Sequence, residues 1–434
     1  MVKVIHILVC VLLCLSALPS LARDEGMRKF QDIAARLDIG GDLFLVIHAG
    51  RWLDTVLSRL EGEVDGVPPA TAAERDIRDV SGRVRRFAAR HGMSGLQGVG
   101  VSSVPVQGGM SSLKVFLLRD AQDANLPFWR GLFGWQPRRL LSLDLLPSDT
   151  DFAWGMTPDV SGLWELLEAA RGELELAQLD RMMQQITDIS QWVFETEPLP
   201  LLESLRDEVL VAARAEQIPD AESAAAWEWL VVIGTGEPLL FQAIKAGFQR
   251  AGVSVEDVTI GGHTMHRVRA DYVGTGVFSH VRAFAAVPGF VVIGNSHRMV
   301  EDALRSQRHR SGLLARPAFI DAFRGQNMVN NGIFYISQHG AETLRDMQDG
   351  RLRSSLGDGV DPFSQLLLET LAGDSVRGAV FALTLANWRQ GIMISGRSGV
   401  GGAAMGSWLG SFPARWWLRA PEWLDDLVTT RFDD

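Results

Sequence analysis

The chain has 434 residues, 47% of them apolar, with 42 Lys or Arg against 52 Asp or Glu. That balance belongs to a globular protein and excludes a disordered or fibrous one; at about 150 residues per domain it suits two or three domains or one large repeated unit. A formal charge of -10 argues against a nucleic-acid partner, which needs excess cation along its footprint.

Residues 1–22 read as a secretory signal. Lys3 supplies a positive start, residues 4–18 are an almost unbroken apolar run, and Ser20-Leu21-Ala22 places small residues where a signal peptidase inspects them, just before Arg23-Asp24-Glu25. A bilayer span takes about 20 residues, so the shorter run favours cleavage over a retained anchor. Leu13 before Cys14 departs from the small residue that normally precedes a lipidated cysteine. Cys10 and Cys14 are the only cysteines, so the mature chain is expected to hold no disulfide, thiolate nucleophile or cysteine-ligated metal. None of the six asparagines opens an Asn-x-Ser/Thr sequon. The expected location is the bacterial periplasm or the exterior, with no transmembrane helix once the signal is removed.

One pattern then recurs along the chain. Asp42-Leu43-Phe44-Leu45-Val46-Ile47 reads as a strand that leads into Trp52, Leu53, Val56, Leu57 and Leu60 at helical spacing. Asp151-Phe152-Ala153-Trp154-Gly155-Met156 is a second strand, and Thr157-Pro158-Asp159 opens a helix, with the Thr hydroxyl as expected cap. Gly332-Ile333-Phe334-Tyr335-Ile336, then Ser337 and a helix through Leu344, is a third. A looser copy is Trp229-Leu230-Val231-Val232-Ile233 before a helix over 238–248. Hairpins lie between these starters: 96–106 with 113–119 across Gly108-Gly109, 253–260 with 263–270 across Gly261-Gly262, 281–287 with 290–293 across Pro288-Gly289, and 376–385 with 391–396.

The expected fold class is therefore α+β: an extended antiparallel sheet built from repeated strand–helix–hairpin units, with helices covering one face. The expected organisation is a signal peptide (1–22), an N-terminal α+β half (23–173), a helical insertion (174–217) broken by Pro198 and Pro200, a C-terminal α+β half (218–402) and a Trp-rich C-terminal segment (403–434). The lead-in Leu146-Pro147-Ser148-Asp149-Thr150-Asp151 and the strand–Ser–helix stretch over 291–318, ending in Pro317-Ala318, loosely resemble a class of exported bacterial proteins known only as domains of unknown function. The resemblance spans about residues 140–400 as a pattern. It implies export and this architecture, and it brings no catalytic residue with it.

The chemistry-bearing motifs are absent or better explained otherwise. Gly294-Asn295-Ser296-His297-Arg298 lies between strand and helix but lacks the last glycine of a nucleophile elbow, and Ser296 reads as a helix cap. Gly396-Arg397-Ser398-Gly399 reads as a turn. His263 and His266 fall on opposite faces of a strand and cannot share a metal. Asp349-Gly350 and Asp358-Gly359-Val360-Asp361 read as ordinary acidic turns. Gly234-Thr235-Gly236-Glu237 sits where a phosphate could meet a helix, but it lacks the third glycine and Glu237 would repel an anion. No cofactor is expected.

Tryptophan stands out: 13, against 2 tyrosines. Phe128, Trp129, Phe133 and Trp135 fall in an apolar stretch bounded by Pro127 and Pro137, read as a loop, and Trp416 and Trp417 are adjacent near the C-terminus. These six are the candidate contacts with a partner or lipid, since Trp favours interfaces and loops are usually polar. The expected function is an exported, non-enzymatic binding or envelope-assembly protein that holds an apolar ligand or docks a partner. The alternative is an exported hydrolase whose site is not visible as a motif.

Overall fold

The computed structural model describes residues 23–50, 52–60, 72–215, 227–269, 280–309, 311–348 and 380–400. The signal segment, the acidic turns at 349–361 and the Trp-rich segment with Trp416 and Trp417 lie outside these residues.

The chain opens with α1 (Arg23–Ala34), the strand β1 (Leu43–His48) and the helices α2 (Trp52–Leu60) and α3 (Ala72–His91). The hairpin of β2 (Leu96–Pro105) and β3 (Ser111–Arg119) follows, then α4 (Pro127–Phe133), the short β4 (Arg138–Arg139) and β5 (Phe152–Met156). Three helices, α5 (Val160–Leu174), α6 (Ala177–Phe194) and α7 (Pro198–Glu203), lead to β6 (Leu205–Ala215) and β7 (Trp227–Thr235). Next come α8 (Leu239–Arg250), β8 (Val255–Ile260), β9 (His263–Val268), β10 (Ala283–Val287), β11 (Phe290–Gly294) and α9 (His297–His309). The last described elements are α10 (Pro317–Ala322), β12 (Val329–Asn330), β13 (Gly332–Ile336), α11 (Gln338–Gln348), β14 (Phe381–Trp388) and β15 (Gly391–Ser398).

Thirteen strands form one antiparallel sheet in the order β1-β2-β3-β15-β14-β13-β5-β6-β7-β11-β10-β9-β8, and β12 pairs with β4 apart from it. The class is α+β. Strands 1–3, 5–7 and 13–15 are each a three-stranded meander with helix between the first and second strand. The expected hairpins β2·β3, β8·β9, β10·β11 and β14·β15 are all paired. At the middle of the sheet β5 meets β13, with Phe152 opposite Ile336 and Met156 opposite Gly332.

Apolar side chains of both parities are buried, so helices pack on both faces where one covered face was expected. On the first face Ala153, Ile333 and Tyr335 lie under Met299, Val300, Ala303 and Leu304 of α9, the leucines of the 140–146 lead-in, and Phe319 and Phe323. On the second, Phe334 and Phe381 meet Ala341 and Leu344 of α11, and Phe284 and Val291 meet Leu240, Ile244 and Phe248 of α8. An alternating strand can be amphipathic or, as here, apolar on both sides, and periodicity alone does not say which.

At the N-terminal end α1 lies along β2 on the first face. Lys29 reaches Gln97, Ile33 and Leu37 sit over Gly98 and Gly100, and Ser102 Oγ accepts from Asp38 N–H. A Cβ at Gly100 would stand 2.2 Å from Ile33 Cγ2, so the two glycines of β2 are what lets the helix approach.

One segment departs from the expected organisation. Residues 205–215, assigned to the helical insertion, are β6, an interior strand bonded to β5 and β7. Val209 and Val211 face one side and Leu210 and Ala212 the other, a strand pattern that the long helical stretch before Pro198 obscures.

Candidate functional site

The aromatic stretch is a helix, not a loop. Pro127 occupies the first turn of α4, where its missing N–H costs nothing, and Gly134 ends the helix at φ 74° with its N–H on Arg130 O. A Cβ on Gly134 would fall 1.9 Å from Thr157 O. Trp129, a candidate for outside contact, is instead core: it is 2% exposed, its Nε1 donates to Gly92 O at 2.7 Å, and it packs against Phe128 and Phe133. A seven-residue amphipathic helix must bury one side, and Trp129 is on it. Phe128 and Phe133 are half-buried. Trp135 is 48% exposed, with the Arg130 guanidinium 5.4 Å from its ring. Its position is held from below, since Asn331 Nδ2 donates to Trp135 O and Asn387 Nδ2 to Gly134 O.

Two polar clusters flank the β5·β13 pair, one at each end. At one end buried Asp151, just before β5, accepts from Ser337 Oγ on Oδ1 (2.5 Å), and its other oxygen both accepts from Ala215 N–H and meets His339 Nδ1 at 2.9 Å. At the other end buried Asn331, just before β13, meets Thr157, just after β5: Asn331 O accepts from Thr157 N–H and Oγ1–H, and Asn331 Nδ2 bonds Thr157 Oγ1. Thr157, expected to cap α5, is spent on this contact, and Asp159 caps the helix by accepting from Gly162 N–H. The signal was present in the sequence as one spacing: Asp151 and Thr157 bracket five strand residues, as do Asn331 and Ser337.

Ser337 caps α11 by accepting from Gly340 N–H while donating to Asp151. An activated hydroxyl needs the imidazole between itself and the acid. Here the acid stands between Ser337 and His339, so His339 is not placed to take the Ser337 proton. His339 is a carboxylate-oriented imidazole with a side chain 41% exposed.

Beside this cluster lies the densest charge in the described residues. Arg214, on β6, is buried and bonds Glu228 on β7, Asp149 in the lead-in at 2.9 Å and Asp302 on α9 at 2.9 Å. Glu228 also accepts from Ser296 Oγ, which caps α9 through Met299 N–H as expected. Burial opposes the charged guanidinium, but the hydrogen bonds of Glu228 and Asp302 and the charges of Glu228 and Asp149 outweigh it and raise its pKa above the ordinary value. The cluster's resident cation is an arginine, and no group of three His, Cys, Asp or Glu able to hold a metal occurs among the described residues.

Arg119 is the opposite case. It is 3% exposed, its Nη2 donates to Trp388 O, its guanidinium lies 5.2 Å from the Trp129 ring, and its Nε and Nη1 have no hydrogen-bond partner among the described residues. Burial pushes its pKa down to about 10, against the opposing charge of Asp123. A group whose pKa falls on folding costs stability while it is charged, and that cost is relieved as pH rises through the folded value. Arg119→Met is therefore expected to be neutral or stabilising by about 1–2 kcal/mol at pH 7, with its advantage over the wild type narrowing above about pH 10. Urea midpoints at pH 7 and pH 10.5 check both statements.

The remaining motifs resolve as structure. His266 is buried between Phe241 and Phe284 with its Nδ1 on Asp257, while His263, three residues earlier in the regular strand β9, faces the other side of the sheet. The amides of Thr235 and Gly236, which a phosphate would need, donate to Gly289 O and Ser204 O. No helix among the described residues is long and apolar enough to cross a membrane. No known protein family, curated protein or solved structure matches the chain.

Proposed function

We propose that the chain is an exported, non-enzymatic docking or envelope-assembly protein that engages another polypeptide through the N-terminal end of its sheet. The observation that carries this reading is the edge strand β1, where Phe44 and Leu45 are exposed beside Met27, Phe30 and Ile39. Five of the large apolar side chains that face solvent are thus gathered at one end of one sheet, and a strand edge also offers main-chain N–H and C=O groups. Both favour an extended polypeptide over a small apolar ligand. Of the aromatic candidates, Trp135 on its asparagine-held shelf is a second contact on the same reading. The three meanders are read as copies of one unit, and the leader at 1–22 as the device that delivers the chain to the periplasm.

A second reading, an exported hydrolase, is favoured by one feature, the Asp151–His339 pair. A photo-crosslinking residue at position 44 of the exported chain is expected to trap a polypeptide, while the same residue at 256 on the opposite edge traps none. A panel of generic esters and glycosides is expected to show no turnover. Turnover abolished by His339→Ala, with no crosslink at 44, would replace the docking reading by the hydrolase.

A further inference from the structure

The two edges of the sheet are built differently. β8 exposes Glu256, Asp257 and Thr259, the polar side chains with which edge strands resist pairing. β1 has neither proline nor charge from Leu43 to Ile47, and it exposes Phe44 (38%) and Leu45 (43%). Among the described residues it pairs with β2 alone. Ala49 N–H continues the β1·β2 ladder by donating to Gln97 O. Backbone groups alternate sides along an antiparallel strand, so Leu43, Leu45 and Ile47 aim theirs at β2, and Phe44, Val46 and His48 aim theirs outward.

Resting on the docking reading above, we propose that this edge takes the β1 strand of a second copy of the chain, antiparallel about a two-fold axis at Leu45. An axis normal to the sheet keeps each face on its own side, so only residues of the same parity can stand opposite one another. Centred on Leu45, the register sets Leu45 against the partner's Leu45, Phe44 against the partner's Val46 and Leu43 against the partner's Ile47. It also sets exposed Asp42 against the partner's exposed His48 at both ends, the one acid facing the one titratable base. A centre at Phe44 would put Asp42 opposite the partner's Val46, and a centre at Val46 would put Phe44 opposite the partner's His48. The strand is self-complementary in one register.

The helices agree with this axis. Arg36, in the turn that closes α1, reaches Phe116, Trp388 and Gln390 on the β3 side. At 100° per residue, Phe30 and Met27 fall on the other flank, toward β1. In the pair, the two α1 axes lie about 14 Å apart, three strand spacings. The trough between them is floored by Phe44 and Val46 and lined by Met27 and Phe30 from each copy, so the exposed apolar groups of one copy meet those of the other.

Sedimentation of the exported chain is expected to show a dimer at micromolar concentration. Leu45→Lys sets two like charges at the axis, and Phe44→Pro removes an outward N–H without touching the β2 ladder. Each is expected to weaken the dimer at least about tenfold with an unchanged circular dichroism spectrum. Leu45→Cys is expected to form an intermolecular disulfide on mild oxidation, since directly opposed, non-hydrogen-bonded residues lie about 4.5 Å apart, and Glu256→Cys is not. A monomer without the 45–45 disulfide overturns the proposal, as does a dimer that survives both edge substitutions. In either case a crosslink from position 44 to a different polypeptide would leave the docking reading standing, and no crosslink at all would remove both.

Discussion

Replacing Arg214 with methionine is expected to destabilise the folded chain by about 3–5 kcal/mol, read as a fall in the urea midpoint. Glu228 is buried next to it, and Asp149 and Asp302 also aim carboxylates at the guanidinium. Methionine fills most of the volume but leaves Glu228 and Asp149 without their cation, while Asp302 keeps the more distant Arg305 at 3.8 Å. Asp149 and Asp302 are exposed enough to be rehydrated. Glu228, with a side chain 10% exposed, is not, so most of the loss is the cost of that stranded carboxylate. Adding Glu228→Gln to Arg214→Met is expected to recover a large part of it, because a neutral amide can keep the Ser296 contact. If the double variant is no more stable than the single one, the loss comes from packing of the arginine stem and the electrostatic account fails. Arg119→Met is the internal control, a buried arginine without a matching set of acids.

Trp129→Ala is expected to cost about 3–5 kcal/mol, whereas Trp135→Ala is expected to stay within about 0.5 kcal/mol. The two residues lie six apart and look alike in the sequence. Removing the Trp129 ring opens a cavity beneath Phe128 and Phe133, leaves Gly92 O with only the Gly95 N–H of its two donors, and takes away the aromatic face beside Arg119. Trp135 offers its ring to solvent and to Arg130, which keeps its ion pairs with Asp159 and Glu165 in the variant. Thermal melts of the two variants measure the contrast. Similar losses in both would place Trp135 in the core.

The class of the fold and its hairpins were legible because turn chemistry is local. Gly108-Gly109 and Gly261-Gly262 all adopt the positive φ that glycine tolerates, and the strands on either side pair as expected. The number of covered faces was not legible. Phe152 and Ala153 are both buried, and nothing within the β5 sequence reveals that α9 lies over one and α11's neighbourhood over the other. Nor was β6, because Arg206, Asp207 and Glu208 interrupt its apolar pattern; the ladder to β7 is irregular between Leu205 and Val209 for the same stretch. At the candidate site, the Ser296 cap could be read from one helix start. The clusters of Arg214 and Asp151 could not, since each joins residues from elements far apart in the chain. The shared five-residue spacing behind Asp151 and Asn331 was visible, but only pairing of β5 with β13 gives it meaning.

That pairing also sets the order in which the chain can complete itself. Among the described residues, the β1–β3 strands are joined to the rest of the sheet only by β15, and β5 is closed on its other side only by β13. Until residues 332–398 have been delivered, the strands made first form two separate pieces of sheet, linked only by helix packing such as the Arg90–Glu173 pair between α3 and α5, each with a bare inner border awaiting its match. Wherever the chain folds, both borders stay open until that last stretch has paired. A polypeptide cut short before β13 is left with two unpaired strand borders and no means of closing them.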